Sequence, residues 1–126
     1  MIDHVSIAVR DLAASAALYD KALAPLGLTR LVSRAATVGF GKTYPEFWLN
    51  ARPDASPAPP DNGTHICLRA PDEAAVRAFH AAALASGCVS AGDPGPRQGL
   101  MTGYIAAFIT DPDGNKIEAA TFPKKA

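Results

Sequence analysis

An internal repeat constrains this chain more than any other feature of its sequence. His4 opens a segment of alternating apolar and polar residues and precedes Asp11 by seven positions, and His65 opens a similar segment seven positions before Asp72. Each segment leads into a stretch of helical periodicity that ends near a glycine. A unit of half a domain cannot bury its apolar face alone. The repeat therefore predicts two pseudo-symmetric units packed together.

Each unit shows the pattern of one strand, one helix and three further strands. Short strand-like segments at 28–32, 35–40 and 47–50 follow the first helix, and segments at 89–91, 104–109 and 116–122 follow the second. We predict an α+β fold in which two βαβββ modules form a cupped mixed sheet with the helices outside. The 126 residues suit one domain, divided into module one (1–50), a linker (51–62) and module two (63–122). A Gly/Pro-rich loop is predicted over Gly92–Gly103.

Composition limits the classes of partner. Twelve basic and twelve acidic residues give a formal net charge of zero, so we expect no nucleic-acid partner. No apolar run approaches membrane-spanning length, and the chain opens on a strand-like segment rather than a secretory signal, so we expect a cytoplasmic protein with no membrane contact. Cys67 and Cys88 fit no metal-knuckle spacing and are too few for a disulfide scaffold, so reduced thiols are expected.

A tight turn near the end of the chain delivers one carboxylate. Asp111-Pro112-Asp113-Gly114 has the residues that a turn requires, and the strand that follows carries Glu118 among small and apolar residues. A buried carboxylate is costly unless a partner neutralises it. The partners must therefore come from elsewhere in the chain.

The repeat supplies those partners. Strand alternation places His4, His65 and Glu118 on the faces that the two modules turn towards each other. Two imidazoles and one carboxylate form a ligand set that suits Fe(II), Mn(II), Zn(II) or Ni(II) and leaves open positions for substrate oxygens. The alternative is that these histidines, like most single histidines, have a structural or solvent-exposed role.

Other residues are predicted to contact a substrate. Trp48, Tyr104 and Phe108 are candidates for the apolar walls of a small-molecule site, with ordinary core packing as the alternative. Arg97, in the predicted loop, is the first candidate for binding an anionic substrate group, and Arg69, on the face of His65, is its competitor. A buried and inert role is favoured for Cys67.

Nearly the whole chain carries motifs of one known family. The motifs are Asp3-His4-Val5-Ser6-Ile7-Ala8-Val9-Arg10-Asp11-Leu12, Ala17-Leu18-Tyr19, Leu26-Gly27, Gly63-Thr64-His65-Ile66, Tyr104-Ile105-Ala106-Ala107-Phe108 and Asp111-Pro112-Asp113-Gly114-Asn115-Lys116-Ile117-Glu118. By these motifs the sequence resembles the vicinal oxygen chelate superfamily, the group of glyoxalase I, bleomycin-resistance proteins, fosfomycin-resistance enzymes and extradiol dioxygenases. The most specific motif is the Asp-Pro-Asp-Gly hairpin that leads to the Ile-Glu pair.

The resemblance implies a fold and a cofactor. It implies paired βαβββ modules around a divalent metal ion that chelates neighbouring oxygens of a small substrate, with His4, His65 and Glu118 at the ligand positions. Isomerase or lyase, transferase and dioxygenase chemistries all remain open. The alternative is a metal-free protein of the bleomycin-resistance type that binds and sequesters a small molecule. The resemblance also implies a homodimer.

One position departs from the pattern of the family. Glyoxalase I-like members carry a fourth ligand, Glu or Gln, on the last strand of module one, and Trp48 stands near that position here. Its only polar group is a donor, so Trp48 cannot bind a metal ion. Lactoylglutathione lyase activity is therefore not expected unless Glu46, two residues away on the same face, supplies the ligand. Glu46 is also the candidate catalytic base.

Overall fold

Two modules of the same topology make up the structure. The computed structural model describes residues 1–59, 62–97 and 103–122. Module one contains β1 (Val5–Val9), α1 (Leu12–Leu23), a short 3-10 helix (Ala24–Leu26), β2 (Thr29–Ser33), β3 (Thr37–Gly41) and β4 (Pro45–Ala51). Module two contains β5 (Ile66–Arg69), α2 (Glu73–Ala85), β6 (Val89–Pro96), β7 (Ile105–Thr110) and β8 (Lys116–Thr121).

Each module forms its own four-stranded mixed sheet. The strand orders are β1-β4-β3-β2 and β5-β8-β7-β6, so the two sheets have equivalent topologies. The first strand of each module pairs in parallel with the last, and the other neighbours are antiparallel. The predicted fold class is confirmed, and the first strands β1 and β5 lie at the edges of their sheets.

The two helices begin at equivalent capping residues. The side chain of Asp11 accepts a hydrogen bond of 3.1 Å from the backbone N–H of Ala14, and Asp72 accepts one of 2.8 Å from Ala75. Such caps satisfy one of the N–H groups that a helix leaves unpaired at its start. The seven-residue spacing from each histidine to each aspartate thus reflects a strand that turns directly into a capped helix.

One hydrophobic core joins the modules. The helices α1 and α2 pack against each other, and both contact their own sheets. Tyr19 of α1 and Phe79 of α2 are fully buried, and the Tyr19 ring centroid lies 5.3 Å from that of Phe47 on β4. Burial of each large apolar side chain contributes about 1.5–3 kcal/mol.

Hydrogen bonds also join the end of β1 to the turn before β8. The Arg10 backbone N–H and its Nε donate to Oδ1 of Asp113 at 3.0 and 2.8 Å. The amide of Asn115 donates to the carbonyl of Ala8 at 2.9 Å. These bonds fix the start of β8 relative to module one.

Strand β6 is longer than its sequence indicates. It runs to Pro96, so the prediction of a loop is wrong for residues 92–96. Proline is tolerated there because β6 is an edge strand, and its pairing with β7 is interrupted by register shifts that accommodate residues without a donor. Residues 98–102 of the predicted loop and 60–61 of the predicted linker lie outside the described residues. Among the helices described, none is long and apolar enough to cross a membrane.

Candidate functional site

The hairpin between β7 and β8 positions Glu118. The N–H of Gly114 donates to the carbonyl of Asp111 at 3.0 Å, and Oδ1 of Asp111 accepts from the N–H groups of Asp113 and Asn115, both at 2.9 Å. Gly114 has a φ of 87°, and a Cβ there would lie 2.5 Å from the carbonyl oxygen of Ala58. Only glycine therefore fits this turn.

Glu118 is buried and receives partners on both carboxylate oxygens. It is 2% exposed. The Nε2 atom of His65 lies 3.1 Å from Oε1, and the hydroxyl of Tyr104 donates to Oε2. The structure thus brings together Glu118 and His65, as the strand alternation predicts, and adds Tyr104, which the sequence indicated only as an apolar wall.

The surroundings of Glu118 shift neighbouring pKa values. Burial, followed by the hydrogen bond to Glu118, raises the pKa of Tyr104, so its hydroxyl stays protonated and donates at neutral pH. Cys67 is paired in register with Glu118 and is exposed, which corrects the prediction that it is buried. Desolvation and the Glu118 carboxylate raise the pKa of Cys67 to about 12. Cys67 is therefore a neutral thiol beside the carboxylate.

His4 lies one residue before β1 and is oriented by a neighbouring carboxylate. Its Nδ1 lies 2.7 Å from Oδ1 of Asp3, and the hydroxyl of Tyr44 donates to Oδ2 of Asp3 at 3.0 Å. These two hydrogen bonds, His4 first, lower the pKa of Asp3. With Nδ1 engaged, His4 has Nε2 available for another partner. Sequence reasoning missed Asp3 and Tyr44, although the adjacency of Asp3 to His4 was visible.

A cavity of about 390 Å³ lies between the edge strands β1 and β5. His4 and Glu46 line it from module one, and His65 and Cys67 line it from module two. The cavity therefore brings three of the sequence-predicted site residues, His4, His65 and Glu46, to one place. Glu118 is not among the residues that line the cavity, but it contacts His65, which is.

Two of the three predicted ligands, His65 and Glu118, are spaced as ligands of one divalent metal ion. His65 Nε2 and Glu118 Oε1 are 3.1 Å apart. Two ligand atoms that each lie about 2.1 Å from one metal ion, with a right angle between the two bonds, are ~3 Å apart, so the two separations are close. Over residues 1–59, 62–97 and 103–122, however, no three His, Cys, Asp or Glu side chains form a group that could hold a metal ion. His4 as the third ligand stays a prediction.

Trp48 lies on the sheet of module one, whereas His65 and Glu118 belong to module two. Its ring packs across Gly39, where an added Cβ would meet it at 3.0 Å, and the Arg34 guanidinium carbon lies 5.6 Å from the ring centroid. Trp48 occupies the strand position that pairs with Ser6 and Gly39. Its predicted contact with substrate stays a prediction.

Aromatic and basic side chains surround Glu118 on its own sheet. The ring of Phe108 lies 5.7 Å from that of His65, with the Arg97 guanidinium carbon at 5.9 Å and the Lys116 amine at 5.3 Å from its centroid. Arg97 also donates to the carbonyls of Pro96 and Asp93, at 3.3 and 2.5 Å. Phe108, like Tyr104, therefore borders the His65–Glu118 pair, while the side chain of Arg97 is held by backbone carbonyls of β6.

Paired βαβββ modules, with a buried carboxylate that contacts an exposed histidine beside a cavity, define a fold of the glyoxalase type. Residues 1–119 match the model of the Glyoxalase/Bleomycin resistance protein/Dioxygenase superfamily, and the chain belongs to that superfamily. No protein among the curated sequences matches it.

Solved structures agree on the fold. A glyoxalase/bleomycin resistance protein from Albidiferax ferrireducens T118 is 31% identical, with a TM-score of 0.82 over 96% of this chain and 98% of the other. A glyoxalase/bleomycin resistance protein/dioxygenase family enzyme from Burkholderia phytofirmans PsJN is 16% identical, with a TM-score of 0.73 over 97% and 98%. A bleomycin-binding protein complexed with bleomycin is 23% identical, with a TM-score of 0.61 over 94% and 95%. The last two likenesses concern the fold alone.

Proposed function

We propose that this chain is a divalent-metal-dependent enzyme of the vicinal oxygen chelate type that acts on a small oxygen-bearing substrate. The observation that carries the proposal is the 3.1 Å contact between His65 Nε2 and the buried Glu118 carboxylate. A buried carboxylate with an imidazole at this spacing has the chemistry and the separation of two neighbouring metal ligands. Zn(II), Ni(II), Mn(II) and Fe(II) all accept such ligands.

His4 is the proposed third ligand. It lines the same cavity as His65, and Asp3 engages its Nδ1 in the way that carboxylates orient metal-binding histidines. A metal ion bound there would act as a Lewis acid that polarises substrate oxygens. Glu46, which also lines the cavity, is the proposed base that accepts a substrate proton. The reaction itself is isomerisation, lysis, group transfer or oxidation.

Metal binding is tested on protein purified without chelators and titrated with Mn²⁺ under electron paramagnetic resonance. We expect a stoichiometric site in the wild type and its loss in His65→Ala and Glu118→Gln, with weaker binding in His4→Ala. His80→Gln is the matched control, because His80 bonds Ser90 at 2.9 Å on the other side of module two. Equal Mn²⁺ affinity in all of these variants would contradict the ligand assignment.

Metal-free binding of a small molecule is the second candidate function. Two observations favour it: the described residues hold no group of three metal-binding side chains, and aromatic rings border Glu118. The bleomycin-binding protein shares the fold and binds bleomycin. If the function is metal-free binding, protein treated with a chelator should bind bleomycin, and this binding should quench the fluorescence of Trp48. The metal-dependent reading instead expects no bleomycin binding by the chelated protein.

A homodimer and a cytoplasmic location remain predictions from the resemblance and the sequence. Sedimentation equilibrium checks the first, since a dimer doubles the 13.1 kDa mass of the chain. A fluorescent fusion expressed in the source cells checks the second.

A further inference from the structure

Three exposed side chains form a row along the edge strand β5. His65, Cys67 and Arg69 are exposed and stand at alternate positions, so they share one face. The register pairs Cys67 with Glu118 and Arg69 with Ala120. Arg69 therefore lies on the same face as the His65–Glu118 pair, about 8 Å from Glu118 between Cα atoms.

The guanidinium of Arg69 is held in place through a chain of contacts. Its central carbon lies 4.8 Å from the ring centroid of Phe122, and that ring packs edge-on against Tyr104 with centroids 5.0 Å apart. Tyr104 in turn donates its hydroxyl to Glu118. Because each contact restricts the next, Arg69 is positioned relative to the carboxylate–histidine pair rather than free in solvent.

The N–H groups of Arg69 are open to a ligand. Within the three described ranges of the chain, no carboxylate or carbonyl accepts a hydrogen bond from Arg69, whereas Arg97 donates to Pro96 and Asp93. A guanidinium with one face on an aromatic ring presents its planar edge to carboxylate or phosphate, which it binds with two parallel hydrogen bonds. The geometry thus favours Arg69 over Arg97, the reverse of the sequence-based order.

Charge on this face also favours an anion. Arg69, Arg97 and Lys116 are basic, and the acidic side chain beside them, Glu118, is buried and bonded to His65 and Tyr104. Acidic Asp3 and Glu46 line the cavity on the side of module one. An anionic group is therefore attracted to the strand face that carries Arg69 and repelled by the acidic side chains on the module-one side of the cavity.

We propose that Arg69 binds the carboxylate or phosphate group of a small substrate whose other oxygens lie at the His65–Glu118 pair. The placement of the other substrate oxygens at the His65–Glu118 pair rests on the proposed function, in which those oxygens react there. The substrate class is a small organic acid or phosphate ester with an oxygen function a few bonds from the anionic group, because only a few non-hydrogen atoms span the separation.

Pairs of related probes, one anionic and one neutral, test the assignment. Mandelate and its neutral isostere mandelamide, and phenyl phosphate and phenol, are titrated at millimolar concentrations while the side-chain N–H signals of arginine are followed by NMR. We expect both anions to shift the Arg69 signal and to bind about tenfold more tightly than their neutral partners. Arg69→Gln abolishes that preference, and Arg69→Lys restores part of it. The tighter of the two anions identifies the group.

Two arginine variants serve as controls. Arg34→Gln removes a guanidinium stacked on Trp48 in the same manner but on the other sheet, and Arg97→Gln removes the competing basic side chain. Both should keep the preference for anions. The proposal is overturned if charged and neutral probes bind equally or if neither binds. It is also overturned if Arg97→Gln alone loses the preference for anions. Mn²⁺ binding by the wild type is measured in parallel: in the wild type, intact metal binding with no anion preference rejects only the role of Arg69, and anion preference without metal binding rejects only the metal site.

Discussion

The hydroxyl of Tyr19 donates a hydrogen bond of 2.7 Å to Oδ2 of Asp111, and both side chains are buried. The bond joins helix α1 of module one to the turn that starts β8 in module two. Oδ1 of the same carboxylate holds the N–H groups of the turn. The strand that carries Glu118 is thus anchored by a residue from the other half of the chain.

Removal of the Tyr19 hydroxyl should destabilise the protein. Tyr19→Phe keeps the ring and its contact with Phe47 but leaves one oxygen of buried Asp111 with a donor fewer, which costs about 1–3 kcal/mol. Urea denaturation measures the change in the free energy of unfolding. Tyr44→Phe is the matched control: its exposed hydroxyl also bonds an aspartate, Asp3, and its loss should lower the free energy of unfolding much less. Equal losses in the two variants would contradict the anchoring role.

Asp111 should make stability depend on pH in the acid range. Burial raises its pKa above 3.8, although hydrogen bonds from Tyr19 and Asn115 oppose the rise. A raised native pKa means that the folded protein binds the proton more tightly than the unfolded chain. Its stabilising contribution is therefore full below pH 3.8 and is lost as the pH rises through the native pKa.

The Asp111→Asn variant isolates this contribution. The free energy of unfolding of the wild type minus that of the variant should fall as the pH rises from below 3.8 and then level off. Asp3→Asn is the comparison with opposite sign, since hydrogen bonds lower the native pKa of Asp3 and its contribution is lost as the pH falls. A difference for Asp111 that rises with pH would show that its hydrogen bonds outweigh its burial.

The sequence was sufficient to predict the modules and one contact of the site, for a simple reason. Strand alternation depends only on local geometry, so it correctly placed His65 and Glu118 on one face. The aspartate caps follow from local chemistry in the same way.

The remaining contacts depend on tertiary packing and could not be read from local pattern. The hydroxyl of Tyr104 reaches Glu118 only because β7 and β8 pair in one particular register, and the sequence indicated no more than an aromatic wall. Arg97 and Arg69 look alike in sequence, yet backbone carbonyls accept hydrogen bonds from Arg97 and, among the residues that the structure describes, none accepts one from the side chain of Arg69. Residues 92–96 of β6 are predicted as a loop because they are rich in glycine and proline, which are tolerated in an edge strand.

Tyr104 should tune the metal site without binding the ion. Tyr104→Phe removes the hydroxyl that holds Oε2 of Glu118 while it keeps the ring against Phe122. Partners of this kind change metal affinity by about 10–100-fold, and we expect Mn²⁺ binding to weaken within that range. Trp48→Phe, on the other sheet, is the control and should leave the affinity unchanged. An unchanged affinity in Tyr104→Phe would show that the hydroxyl does not support the carboxylate as a ligand.

The reactivity of Cys67 should report on the charge of Glu118. Its pKa of about 12 makes the thiol slow to alkylate at neutral pH although it is exposed. Glu118→Gln removes the neighbouring anion, so the pKa of Cys67 should fall and the rate of iodoacetamide modification should rise, about tenfold for each pKa unit. Mass spectrometry of the peptides follows each cysteine separately. Cys88, whose pKa responds to burial and Asp111 instead, is the internal control and should not accelerate.

Gly41 should be the least replaceable glycine in the strands of module one. A Cβ there would lie 1.9 Å from the carbonyl oxygen of Tyr44, so Gly41→Ala forces the turn between β3 and β4 to open and displaces the start of the strand that carries Glu46. We expect a loss of more than about 2 kcal/mol in the free energy of unfolding. Gly95→Ala is the matched control in β6, because a Cβ there meets no atom of the described residues within 4 Å, and it should change stability by about 1 kcal/mol or less in either direction. Urea denaturation of both variants checks the contrast. A Gly41→Ala variant as stable as Gly95→Ala would mean that the turn yields without cost, and the position of Glu46 would then not be fixed by this close approach.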